Sequence, residues 1–162
     1  MNKKMSFDNR DRQILEILQD DAMTPIAEIA DRVGLSTTPC WRRVQRLERE
    51  GVIRRRVALL DPAALNVPVS VFVAIRTSQH SAGWLERFRR ALDGIPEIVE
   101  AYRMSGEVDY LLRVVVPDIA GYDAVYKQLI ERIELADVTS SFSMEELKHT
   151  TALPLGHAGG AR

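Results

Sequence analysis

The 162-residue sequence has a single cysteine, Cys40, so an internal disulfide and a cysteine-based metal site are both excluded. It has no long hydrophobic run. The apolar stretch Val67 to Ile75 falls well short of the ~20 residues that cross a bilayer. The first residues, MNKKMSFDNRDRQ, are charged from the start and carry no apolar signal segment. Histidine is scarce, and His80, His149 and His157 have no spacing to Cys40 or to a serine that resembles a catalytic arrangement. Glu145 and Glu146 are adjacent, so on a strand they face opposite ways. No glycine-rich phosphate loop is present. These absences point away from a membrane protein, a secreted disulfide scaffold, a zinc finger and an enzyme. The expectation is a soluble cytoplasmic protein with no cofactor.

Net charge is nearly absent as well, 22 basic against 23 acidic residues, but it is unevenly spread. Residues 42–56 hold seven arginines against Glu48 and Glu50. Such a local cationic stretch suits a polyanion, and it equally suits a salt-bridged helix face.

The N-terminal third reads as three helices. Asp8 caps one running to about Asp21, with Ile14, Leu15, Ile17 and Leu18 on its apolar face. Thr24 as cap and Pro25 as first residue open a short second helix over 25–33. Gly34 and Leu35 form a tight turn, and Gly51 stops a third helix that ends at Glu50. Two helices joined by a glycine-containing turn form a helix-turn-helix pattern. In the third helix, Cys40, Val44 and Leu47 share the inward face, while Thr38, Arg42, Gln45, Arg46 and Arg49 share the outward one. The outward face carries arginines suited to guanine or phosphate and one amide suited to adenine, with Ser36, Thr37 and Thr38 near its N-terminus. Cys40 reads as a small core hydrophobe and Trp41 as packing at the edge of the apolar face. For Arg43, pairing with Glu48 or Glu50 competes with DNA. Arg54, Arg55 and Arg56 alternate on an expected linker strand from Val52 to Leu60.

The remainder reads as strand 69–77, helix 82–93, strand 98–104, strand 108–116, helix 118–133 and strand 137–147, followed by a disordered tail. That order is β-α-β-β-α-β, a ferredoxin-like antiparallel sheet with helices on one face. The strands are apolar on both sides, so the open face is expected to pack on a second copy.

The stretch GLSTTPCWRRVQRLEREGVIRRRVALLDPAALN, with SGEVDYLLRVVVPD further on, resembles the leucine-responsive regulatory protein/AsnC family of transcription regulators. The stretches TTPCWRRVQRLE, VALLDP and DVTSSFSMEELKHTTALP are most similar to its cysteine-responsive DecR subgroup. The resemblance implies an α+β chain. Its parts are a winged-helix-like helix-turn-helix domain (1–52), a hinge strand and linker (53–66), a ferredoxin-like effector-binding and dimerisation domain (67–154) and a tail (155–162). It also implies double-stranded DNA and a small amino-acid-type effector as partners, and a homodimer that assembles further, often to an octamer. DNA contacts carry over to Ser36, Thr37, Thr38, Pro39, Arg42, Arg43 and Arg46. The family's Gly-x-x-Asp effector loop is met by Gly106, Glu107, Val108 and Asp109, lined by Met104 and Tyr110 and closed by a neighbour's Thr139, Ser140 and Ser141. Glycine-turn N–H groups can hold a carboxylate, and Asp109 can accept from an ammonium. The several hydroxyls suit a small polar side chain such as that of cysteine. The competing reading is an architectural protein that organises DNA and ignores small molecules.

Overall fold

The computed structural model describes residues 7–158, which fall into two compact units. The first is built from the chain up to Ala58 and from Lys148 onward, the second from Leu59 to Leu147.

The first unit opens with α1 (Asn9–Asp20), capped by Asp8. The Asp8 carboxylate accepts from the Asp11 N–H at 2.8 Å and the Asp11 carboxylate accepts from the Asp8 N–H at 3.2 Å, a reciprocal capping box. The second helix, α2 (Ile26–Arg32), begins one residue later than expected. Pro25, not Thr24, is its cap residue, because the Thr24 hydroxyl donates backward to the Asp21 carbonyl at 2.9 Å. Gly34, at φ 64°, makes the left-handed turn that only glycine enters without cost. The third helix, α3 (Thr37–Arg49), ends at Glu50, and Gly51 follows at φ 73°. Ile14, Ile29, Val33, Cys40, Val44 and Leu47 form the core between the three helices. Cys40 is fully buried, and burial pushes its thiol pKa up, as for a packing residue.

The expected hinge strand does not form. Residues 54–60 are irregular and exposed, with Val57, Leu59 and Leu60 in solvent. A strand needs a ladder partner, and among the described residues this segment has none.

The second unit has the ferredoxin-like order β1 (Val69–Arg76), α4 (Ala82–Asp93), β2 (Ile98–Arg103), β3 (Tyr110–Val116), α5 (Ile119–Arg132) and β4 (Asp137–Phe142). The antiparallel sheet runs β2-β3-β1-β4. Ser81 and Asp118 cap the two helices through their side chains, as their positions predict. Val71, Val73, Ile75, Leu112, Val114 and Val116 face the helices and bury Trp84, Phe88, Val125 and Leu129 against them. The opposite face presents Phe72, Ala74, Tyr102, Leu111, Arg113 and Val115. All four strands are shorter than expected, β1 and β2 by a single residue and β3 and β4 by more. β3 starts at Tyr110 rather than 108, because Val108 and Asp109 belong to the preceding turn. β4 stops at Phe142 rather than 147, leaving Met144 and Leu147 exposed.

The C-terminal segment, from 148 to 158 among the described residues, makes its contacts within the first unit. The Gln19 amide satisfies both backbone groups of Leu153, accepting its N–H at 2.7 Å and donating to its carbonyl at 3.2 Å. Leu155 opens a short 3₁₀ turn (Leu155–His157) and packs on the helical core, and Arg12 Nε donates to the Ala158 carbonyl at 2.6 Å. A segment whose backbone groups are met this way is held; residues 159–162 lie outside the described residues.

Candidate nucleic-acid interface and effector loop

On α3, the small residues Thr37, Thr38 and Pro39 sit in the first turn, after Ser36 at the cap. All four are exposed, and the Ser36 hydroxyl makes no capping bond, so it remains available to a ligand. Cys40, Val44 and Leu47 fix the helix from behind, which leaves Arg42, Gln45 and Arg49 pointing outward. Arg42, Arg49, Arg54 and Arg55 form no ion pair among the described residues. Gln45 is engaged by Glu48, to which its amide donates at 2.9 Å. Arg56 is also committed, bridging Glu48 at 3.0 Å and the Ala22 carbonyl at 3.0 Å.

Two of the arginines expected to contact DNA, Arg43 and Arg46, are paired within the domain. Arg43 Nη1 lies 2.6 Å from Asp8 Oδ2 and 2.8 Å from Asp11 Oδ1, and Arg46 Nη2 lies 2.6 Å from Asp11 Oδ2. The weighed alternative for Arg43, a bond to Glu48 or Glu50, is replaced by this pair. The cause is geometric: the capping box turns the Asp11 carboxylate, 1 % exposed, toward α3 at the level where Arg43 and Arg46 emerge. The side-chain bonds to Asp8 and Asp11 hold the Arg43 guanidinium firmly charged. Asp8 is held below the ordinary aspartate range, first by the Asp11 N–H and also by Arg43. The sequence reading misplaced Trp41 as well. Its indole is 49 % exposed on the same side as Gln45 and Thr38, a position that the four- and three-residue spacing of the buried side chains already implied.

The glycine turn of the second unit closes β2 onto β3. Met104 N–H donates to the Asp109 carbonyl at 2.8 Å, and Gly106 adopts φ 125°, a conformation that favours glycine. Met104, Gly106 and Glu107 are exposed, while Val108 and Asp109 are half-buried. Asp109 has a structural duty: its Oδ2 accepts the Thr77 N–H at 2.8 Å, and its own N–H donates to the Ile75 carbonyl. It thereby ties the loop to the end of β1.

Two expected lining residues, Tyr110 and Ser140, are placed differently. Tyr110 is buried on the helix side, its ring 4.7 Å from Phe88 and 5.6 Å from Trp84. Ser140 points to the same side and bonds the Tyr122 hydroxyl, whose pKa is raised chiefly by burial. Strand alternation accounts for both, because neighbours along a strand face opposite ways. Thr139 and Ser141 do lie on the open face, opposite Ala74 and Phe72. Within one chain, β1 separates them from β3, a distance of about 10 Å at the usual strand spacing. One chain therefore does not bring Thr139 and Ser141 to the Gly106–Asp109 turn.

Among the described residues there is no cluster of three or more His, Cys, Asp or Glu able to hold a metal ion. No described helix is long and apolar enough to cross a membrane.

Residues 7–54 match the family model described as winged helix-turn-helix DNA-binding, and residues 70–153 match the Lrp/AsnC ligand binding domain. The chain is 48 % identical over 149 residues to the glutamate uptake regulatory protein of Zymomonas mobilis, covering 92 % of this chain and 91 % of that protein. It is 45 % identical over 150 residues to the DNA-binding transcriptional activator DecR of Escherichia coli, covering 92 % and 99 %. Among solved structures, an AsnC family transcriptional regulator from Agrobacterium tumefaciens is 62 % identical, with a TM-score of 0.89 and coverage of 92 % and 97 %. A transcriptional regulator from Neisseria meningitidis, solved as a complex with L-Met, is 33 % identical, with a TM-score of 0.88 and coverage of 94 % and 99 %.

Proposed function

The chain belongs to the Lrp/AsnC family of transcription regulators, and on that premise we propose that it reads specific DNA sites under the control of a small amino-acid effector. It is a DNA-binding regulator and not an enzyme. The proposed division of labour follows the chain: a DNA-binding domain over 1–52, a connecting segment over 53–66 and an effector and dimerisation domain over 67–154. It acts in the cytoplasm, where its DNA is.

In this reading Arg42, Arg49 and Gln45 meet base edges and phosphates in the major groove. Ser36, Thr37 and Thr38 meet phosphate at the start of the helix, with Pro39 in its first turn. Arg43 and Arg46 act at one remove, by holding the helix. The single observation that carries the reading is the outer face of α3, where Arg42 and Arg49 are exposed and have no acidic partner among the described residues. An exposed guanidinium with no internal partner keeps its full charge for a polyanion.

The effector is proposed to sit at the Gly106–Asp109 turn, its carboxylate on turn N–H groups and its ammonium toward Asp109. A second copy docked on the open face of the sheet supplies Thr139 and Ser141. That face carries Phe72, Tyr102 and Leu111, and covering it calls for a homodimer, the unit of a higher assembly such as an octamer. The amino-acid bound by the Neisseria relative supports the class of ligand, and the hydroxyls favour a small polar one such as cysteine.

Genomic fragments selected by the protein, with and without each of the twenty amino acids, test this directly. The expected result is a shared, partly palindromic motif whose recovery or spacing changes with one or a few amino acids. Fragments without a common motif, together with no thermal stabilisation by any amino acid at millimolar levels, would favour an effector-independent architectural protein.

A further inference from the structure

Trp41 is the one large apolar side chain exposed on α3. It is 49 % exposed, whereas the other tryptophan, Trp84, is 1 % exposed and stacked on Phe88 at 5.0 Å. Helical spacing sets the indole one turn after Thr37 and Thr38 and one turn before Gln45, next to Arg42. No ring contact within the protein involves it among the described residues. A flat apolar surface is therefore held in water in the middle of a cationic, donor-rich face that carries no acidic residue in its first turn. The surroundings fit one occupant, a duplex. Arg42 beside the indole and Arg49 two turns on, both without an acidic partner among the described residues, repel other cationic surfaces and draw in phosphate, and the major-groove floor offers one apolar feature, the C5-methyl of thymine.

We propose that Trp41 is a specificity-determining residue for DNA, its indole lying against a thymine methyl group in the major groove. This rests on the DNA-binding reading of α3 and adds the base that the helix selects by apolar contact. The rigid two-torsion side chain can fill that role at little entropic cost, since Val44 and Cys40 hold the backbone beneath it.

The test uses the full chain and a duplex selected by the protein from a random-sequence library. Each thymine is replaced in turn by deoxyuridine, which removes the methyl and leaves every hydrogen-bonding group. The wild type should lose about fourfold in affinity at one thymine per half-site, the equivalent of ~0.8 kcal/mol for a methyl-sized contact. Trp41→Ala should bind thymine and deoxyuridine duplexes alike at that position. Acrylamide quenching should report Trp41 shielded in the complex, read as the difference between wild type and Trp41→Ala so that the Trp84 signal cancels. Equal deoxyuridine sensitivity in the two proteins, or an indole that stays open to acrylamide in the complex, overturns the proposal while leaving DNA binding intact. Failure of the wild type to bind any selected duplex overturns both.

Discussion

Arg46 of α3 reaches across to α1 and places its Nη2 2.6 Å from the Oδ2 of Asp11. The other oxygen of the same carboxylate takes Arg43 at 2.8 Å. One buried carboxylate thus closes the cap of the first helix and fixes two turns of the third. The orientation of the outward face of α3 is set by a buried charge on α1.

Asp11→Ala should therefore be among the most damaging single changes in the first unit. It removes one arm of a capping box, worth about 1 kcal/mol. It also removes two charge-assisted bonds, which we discount because both guanidiniums remain partly exposed and regain water. A loss of roughly 2–3 kcal/mol is expected, read as a lower urea midpoint for the first unit. A loss below about 0.5 kcal/mol would mean the clamp contributes little.

Acid should act through Asp8. The Asp11 N–H first, and Arg43 with it, hold the Asp8 carboxyl below the ordinary aspartate range. A folded-state pKa that is depressed gives stability at pH values above the unfolded value, and that stability is lost as pH falls through the folded one. Stability should be flat from neutrality down to the ordinary aspartate range and then decline below it. Asp8→Asn should flatten the decline in a urea-midpoint series against pH. An unchanged acid limb in that variant would assign the decline to other carboxylates.

Much of this architecture was legible beforehand, and the reasons are local. Asp8, Ser81 and Asp118 announce helix starts because a short acceptor before an apolar periodic run has one good use. Cys40, Val44 and Leu47 announce the buried face by spacing alone. Pairings across sequence were not legible. Nothing in the neighbours of Asp11 tells that Arg43 and Arg46, more than thirty residues on, will claim it. The facing of Tyr110 and Ser140 was missed because a one-residue change in register reverses every side chain on a strand. The placement of Leu153 and Ala158 was not legible either, because it comes from Gln19 and Arg12 at the other end of the chain.

Asp109 separates structural from ligand roles. Asp109→Asn keeps an acceptor for the Thr77 N–H and removes the charge, so the fold should hold within about 1 kcal/mol. Any thermal stabilisation by amino acids seen with the wild type should fall at least about tenfold in apparent affinity, about 1.4 kcal/mol. Ser140→Ala should behave oppositely, costing about 1 kcal/mol through the Tyr122 hydroxyl while leaving ligand affinity unchanged. A normal ligand response in Asp109→Asn would move the effector away from this turn.

The open sheet face can be tested without harming the monomer. Phe72 is exposed and stands opposite Arg113 in the β1–β3 register. In Phe72→Asp, the new carboxylate would stay in water in the monomer but would be buried in any sheet-to-sheet dimer, at a cost of several kcal/mol. Light scattering at micromolar concentration should show a dimer or larger for the wild type and a shift toward monomer for the variant. An unchanged assembly would place the interface elsewhere.

Three arginines should fail in three distinguishable ways. Arg42 is exposed and without an ion-pair partner among the described residues, so Arg42→Ala should leave the melting temperature near that of the wild type. It should cost about 1–3 kcal/mol on a selected duplex and much less on random DNA. Arg54 lies on the irregular connection after α3, where a guanidinium can meet phosphate but has no helix to aim it at a base edge. Arg54→Ala should weaken both DNAs alike and reduce the salt slope by about one. Arg46 is tied to Asp11, so Arg46→Ala should lower stability first and DNA affinity as a consequence, and lowering the temperature should restore part of the binding. Measuring affinity, salt slope and melting temperature for all three separates reading, attraction and support. If Arg42→Ala lost equally on selected and random DNA, α3 would be attracting the duplex without reading it.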